Sequence, residues 1–278
     1  MISFDALERP LTIAEIFDRA VVLCVRRWRI AVVLSLAVAL PSTVLRAIGG
    51  GRLPGGHAGY WGALLIGVPI VAFFSAALVR AYGDPGAPAE FGRLLRGAAR
   101  DYRRALPSYA LVTLLFYAGL VLVETVVATV FAAGSSAGGV ATGVVLAALV
   151  GIALLAVSVP LCTVVLLAYP TTLLEGVGAR RGLVLTFERV RSGPFARAWL
   201  LGAALLTVWL GPMILVSSSV DRAAMVTGWS WLRLAEPAIS VLAGWPYSGA
   251  ASVVAAIDLR LRREGADLQA ALEQAPPA

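Results

Sequence analysis

Apolar residues in this chain come in long unbroken runs separated by short polar or glycine-rich stretches, the pattern of membrane-crossing helices rather than of alternating strands. Six runs are long enough to cross a hydrocarbon core of about 30 Å: about 30–48, 60–82, 107–133, 140–169, 195–216 and 237–257. The expected fold is therefore all-α, a polytopic helix bundle with six transmembrane helices in one integral membrane domain over residues 1–278. The separators support these boundaries. GGGRLPGGHAG (49–59) cannot face lipid, because its backbone groups would lack partners. YGDPGAP (82–88) ends the second helix, Pro107 opens the third, and GSSAGG (134–139) is short enough to make an antiparallel hairpin of the third and fourth spans. The fourth run exceeds the thickness it must cross, so tilt, protrusion or a kink at Pro160 is expected.

Before the first, third and fifth spans lies a stretch with helical rather than continuous apolar spacing. The first places Ile13, Ile16, Phe17, Ala20, Val21 and Cys24 on one face. The second places Phe91, Leu94, Leu95, Ala98 and Tyr102 opposite Arg93, Arg96, Arg100, Arg103 and Arg104. The third sets Leu183, Val184, Phe187 and Val190 against Arg180, Arg181, Glu188, Arg189 and Arg191. These read as three amphipathic interfacial helices on the cytoplasmic side. They form either an internal three-fold repeat of surface helix plus membrane hairpin, or the ordinary basic connections of a membrane protein.

Charge orients the bundle. All 23 basic residues are arginine, and nineteen of them fall before the first span, in the second and fourth connections, or in the tail. Only Arg46, Arg52, Arg222 and Arg233 fall on the other side. Basic residues are held back on the cytoplasmic side of a membrane, so both termini are expected there. The same placement turns the net charge of +7 toward anionic headgroups and away from nucleic acid. The candidate headgroup or partner surface comprises Arg26, Arg27, Arg29, Arg93, Arg96, Arg100, Arg103, Arg104, Arg180, Arg181, Arg189 and Arg191. Tyr60 and Trp61 read as outer anchors, Trp28, Tyr102 and Trp199 as inner ones. Trp229 and Trp231 either lie against the outer surface or pack on neighbouring helices. With 59% hydrophobic and 14% charged residues, against about 25% charged in a soluble domain, the chain has too little polar surface to fold in water.

Chemistry is sparse. Cys24 and Cys162 have no CxxC neighbour, the only histidine is His57, and no GxSxG, HExxH or GxxxxGK[ST] motif occurs. The chain is therefore expected to be no enzyme, with no metal and no cofactor. The N-terminus lacks the basic and apolar regions of a cleaved signal peptide. Glu124 is the one charged residue well inside a span, either a functional group at a wet cavity or an outer-interface residue with Arg46 as structural partner. Gly143, Ala147 and Gly151 have the spacing of close helix packing, and Asp258 is expected to cap the last helix and meet the inner surface or a partner.

Three stretches, LTIAEIFDRA with the RRW after it, TTLLEGVGARRGLVLTFERVRSGPFAR, and AIDLRLRREGADL, together resemble a family. It is that of bacterial multi-pass proteins related to the membrane domain attached to some glycerophosphodiester phosphodiesterases. The resemblance implies fold and a bacterial plasma-membrane location only, since the phosphodiesterase chemistry belongs to a soluble domain outside this sequence. The expected role is an accessory or scaffold module whose partners are anionic membrane lipids and a membrane or cytoplasmic protein. A transporter or lipid-handling protein with a cavity near Glu124, motivated by the prolines Pro41, Pro69, Pro160 and Pro212, is the alternative.

Overall fold

A computed structural model describes residues 10–48, 56–83, 90–229 and 231–274, which are helical almost throughout and contain no strand. The helices are α1 (Ile13–Arg26), α2 (Trp28–Ile48), α3 (Gly56–Gly83), α4 (Phe91–Gly138), α5 (Val140–Leu174), α6 (Ala179–Arg191), α7 (Phe195–Thr227) and α8 (Trp231–Gln274). The N-terminal residues read for a signal peptide, most of the glycine-rich separator and residues 84–89 lie outside the described residues, as do the side chains of Arg46 and His57. Among the described residues, four helices are long and apolar enough to cross a membrane: Phe91–Gly138, Val140–Leu174, Phe195–Thr227 and Trp231–Gly265. Trp28–Pro41 and Gly67–Gly83 are shorter apolar stretches.

Several boundaries differ from those the sequence implies. α4 is continuous over 48 residues, so Pro107 lies inside it and the second amphipathic stretch is no separate element. Proline forfeits one helical hydrogen bond. Here Ala105 and Ser108 on either side of it are buried, and Ser108 Oγ donates to Thr172 Oγ1 of α5 at 3.1 Å, which holds both halves on the bundle. At about 1.5 Å per residue α4 is about 72 Å long, more than twice a hydrocarbon core of about 30 Å. Part of it must lie outside any membrane, and the five arginines between 93 and 104 mark which part. The three-fold pattern is thus broken in its middle unit. α1 and α2 are separated at Arg27, and α6 and α7 at 192–194, while the middle stretch runs straight into its span.

The turn between α4 and α5 is tighter than the sequence implies, a single non-helical residue, Gly139, at φ 84°. Close approach of the two helices requires glycine nearby. A Cβ on Gly134 would stand 2.8 Å from Gly143 Cα, and one on Gly143 2.7 Å from the carbonyl of Phe131. Gly151 faces Val127 across the same hairpin, so the small-residue series packs within the bundle. α3 begins at Gly56 rather than Tyr60, α7 extends to Thr227, and α8 runs from Trp231 through Asp258 to Gln274 without a break.

α8 is the central helix, packed on α1, α2, α3, α5, α6 and α7. Half of its apolar window is buried, against 6% for α4, 11% for α5 and 17% for α7. Burial concentrates at one end of the bundle, where Ile16, Leu34, Tyr82, Leu167, Leu201 and Val253 meet. The far halves of α4, α5 and α7 leave large apolar side chains uncovered, among them Leu122 at 64% exposure, Ile152 at 66% and Leu215 at 68%. Apolar surface of that extent needs a lipid or protein cover.

Candidate functional site

The most tightly organised polar group lies at the buried end and begins with the entry into α1. Thr12 Oγ1 accepts from the Glu15 backbone N–H (3.2 Å), and Glu15 Oε2 accepts from the Thr12 N–H (2.7 Å). This capping box ties up the first turn and fixes the peptide group just before it. The N–H of Leu11 then donates to Asp258 Oδ1 at 2.7 Å. Asp258 Oδ2 accepts from Arg197 Nη2 at 2.8 Å and from Arg262 Nε at 2.9 Å. The same two arginines donate to the Leu11 carbonyl, at 2.9 and 2.5 Å. Asp258 is fully buried and Leu11 nearly so.

This clamp corrects the expectation for Asp258. It does not meet the inner surface or a cytoplasmic partner, but sits inside the bundle as the acceptor that joins α1, α7 and α8. A buried carboxylate is tolerated only when paired and hydrogen-bonded, and this one has two guanidinium groups and a backbone N–H. Because Asp258 is sealed from solvent, the arrangement fixes geometry and presents no acid or base to a substrate. Three stretches far apart in the chain meet here: Leu11 comes from residues 11–20, Arg197 from 171–197, and Asp258 and Arg262 from 256–268.

Further ties surround the clamp. Arg80 Nε bonds Asp101 Oδ2 at 2.5 Å, joining α3 to α4. Tyr169 donates to the Ala72 carbonyl at 2.8 Å, and Tyr82 to that of Pro246 at 3.2 Å. Burial pushes the Cys24 thiol up from its ordinary pKa, which disfavours the thiolate form. Among the described residues no three His, Cys, Asp or Glu side chains gather into a metal-binding group.

Around the same end the candidate arginines form an outer rim. Arg26, Arg29, Arg93, Arg96, Arg100, Arg103, Arg104, Arg180, Arg181 and Arg191 are exposed, and Arg27 is half-buried. Arg189 leaves the set, because it is largely covered and bonds Glu175 at the end of α5. Arg93 pairs with Glu90 in the open, an arrangement worth little. Arg29 lies over the ring of Trp28, 5.6 Å from its centroid. Trp229 and Trp231, at the opposite end, are both exposed and stack on each other at 6.1 Å.

The surface helices seat differently: α1 packs Ile13, Ile16, Phe17, Ala20 and Cys24 of its apolar stripe on the core, whereas α6 turns inward only Leu183 and Val190 of its own. α6 turns Gly182, Thr186 and Val190 to the bundle, while Val184 and Phe187 are exposed. The reason is steric: a Cβ on Gly182 would lie 2.0 Å from Thr172 Oγ1, so only glycine lets α6 approach α5. α1 buries Ile16, Ala20 and Leu23, and leaves Val21, Val22 and Val25 uncovered. Both helices thus have apolar side chains on a second, outward face.

Two acids complete the inventory. Glu124 is exposed on α4, not enclosed between helices. Glu236, one residue before the sixth apolar run, is buried in α8, with Ser240 Oγ donating to its Oε1 at 2.8 Å. The one local signal for it was a hydroxyl residue a single helical turn further on. Compared with protein-family models, curated proteins and solved structures, the chain matches none of them.

Proposed function

We propose that the chain is a six-span protein of the bacterial plasma membrane, related to the family named above, with both termini in the cytoplasm. In this reading it is a non-enzymatic accessory or scaffold module whose basic inner face contacts anionic lipid or a protein partner. The observation that carries the reading is the rim: exposed arginines from three separate segments stand at one end of the bundle beside uncovered apolar side chains. That combination matches the boundary between acyl chains and anionic headgroups.

The reading is tested in detergent by adding phosphatidylglycerol or phosphatidylcholine and following thermal unfolding. The wild type is expected to gain more from the anionic lipid. A fourfold variant, R93Q/R96Q/R100Q/R103Q, is expected to lose at least half of that difference at unchanged helicity. Equal response of the wild type to both lipids would overturn the reading. Reporters fused after the tail and within the α7–α8 turn at Gly228 test the topology, with cytoplasmic and external locations expected respectively.

Glu124 supports this reading over a transport role. It lies seventeen residues beyond Pro107, about 26 Å along α4, and so near the outer boundary of a core of about 30 Å if Pro107 marks the inner one. An exposed carboxylate there reaches headgroups and water. Glu124→Gln is expected to change stability by no more than about 0.5 kcal/mol, as read by thermal unfolding in the same detergent.

A further inference from the structure

The outward face of α6 has an order of its own. Arg180, Val184, Phe187 and Arg191 follow one another at helical spacings of four, three and four residues, so they form one stripe along the helix. All four are exposed, Val184 at 38% and Phe187 at 46%. The bundle-facing residues Gly182, Thr186 and Val190 lie on another side of the helix. Beside the first turn is an open recess of about 610 Å³ lined by Gly178, Ala179, Arg180, Arg181 and Val184. Two exposed guanidinium groups thus border a space that reaches Val184, with Phe187 one turn further along the same stripe.

We propose that this face seats one anionic phospholipid. Arg180 and Arg181 hold its phosphate at the rim of the recess, and one acyl chain lies along the apolar wall of the recess and over Val184 and Phe187. Charge complementarity chooses the occupant's sign, and the apolar centre of the stripe chooses a lipid over a free anion. A soluble phosphate leaves Val184 and Phe187 uncovered, and a neutral lipid leaves the arginines unanswered. Three of the other candidate arginines already have a neighbour, Arg93 in Glu90, Arg29 in Trp28 and Arg189 in Glu175. The proposal rests on the headgroup-contacting role given above and assigns that role one specific seat.

The test is lipid retention by the purified full-length protein, read by native mass spectrometry with dioleoyl phosphatidylglycerol and dioleoyl phosphatidylcholine as probes. The wild type is expected to keep one phosphatidylglycerol in preference to phosphatidylcholine. R180Q/R181Q is expected to lower that retention about tenfold or more, since each arginine near a headgroup adds appreciably to binding. V184A/F187A is expected to lower it several-fold with no change in charge. Excess inorganic phosphate is expected not to displace the lipid. Wild-type retention by either double variant, or displacement by phosphate, would overturn the seat on α6. If the fourfold variant at 93–103 still lost its anionic-lipid response, the wider reading would survive that result. No preference for phosphatidylglycerol in the wild type would remove both. Because Arg180 and Arg181 are exposed, R180Q/R181Q is expected to fold, with unchanged helicity as the check.

Discussion

Asp258→Ala is expected to cost about 3–5 kcal/mol, the range for removing one partner of a buried ion pair. The substitution leaves the Leu11 N–H without its acceptor and sets the Arg197 and Arg262 guanidinium groups side by side with no counter-charge. Their shared bonds to the Leu11 carbonyl cannot offset that repulsion. Thermal unfolding in detergent measures the loss. A second readout follows from where the clamp lies: α1 is tied to α7 and α8 through Leu11, so tryptic cleavage at Arg19 and Arg26 is expected to accelerate. Asp258→Asn keeps the shape and an acceptor oxygen but not the charge, and its cost is expected to be intermediate. Melting of the alanine variant within about 1 kcal/mol of wild type would show that the clamp contributes little.

The second large effect is expected at Gly202, where α7 crosses α5. A Cβ there would lie 2.1 Å from Thr163 Oγ1 and 2.6 Å from the carbonyl of Val159. Thr163 Oγ1 also donates to the Ala198 carbonyl at 3.0 Å, so this close approach is itself hydrogen-bonded. Gly202→Ala must push the helices apart and break that bond, at the upper end of the roughly 1–3 kcal/mol typical of overpacking. Adding Thr163→Ala removes the hydroxyl but not the Val159 carbonyl, so the double variant is expected to recover only part of the loss. Gly211→Ala, on the same helix with nothing nearer than Thr207 Cγ2 at 4.0 Å, is the control and is expected to be neutral or slightly stabilising. Full rescue by Thr163→Ala would mean that the backbone approach does not limit packing here.

Glu236 shows how local reading fails. Its place one residue before a proline reads as the end of a loop, yet α8 starts five residues earlier and buries it. Pro107 shows the reverse error, a residue that would open a helix in isolation lying inside one because neighbours hold both halves. The stripe on α6 is a third case. Hydrophobic periodicity finds an apolar side but cannot say whether a bundle or a membrane covers it, and here the bundle takes the side with Gly182 and Thr186.

The helical character of the chain, the long stretches apolar enough to cross a membrane and the gathering of arginines between particular apolar runs are all legible along the primary structure. Those properties are sums over neighbouring residues, so they can be read without knowing what touches what. Folding is what makes α8 central, brings the helices to close approach at Gly202 and Gly182, and sets Asp258 against a backbone group 247 residues away. Such pairings depend on which helix faces meet once the apolar stretches have assembled, and no local pattern encodes the partner.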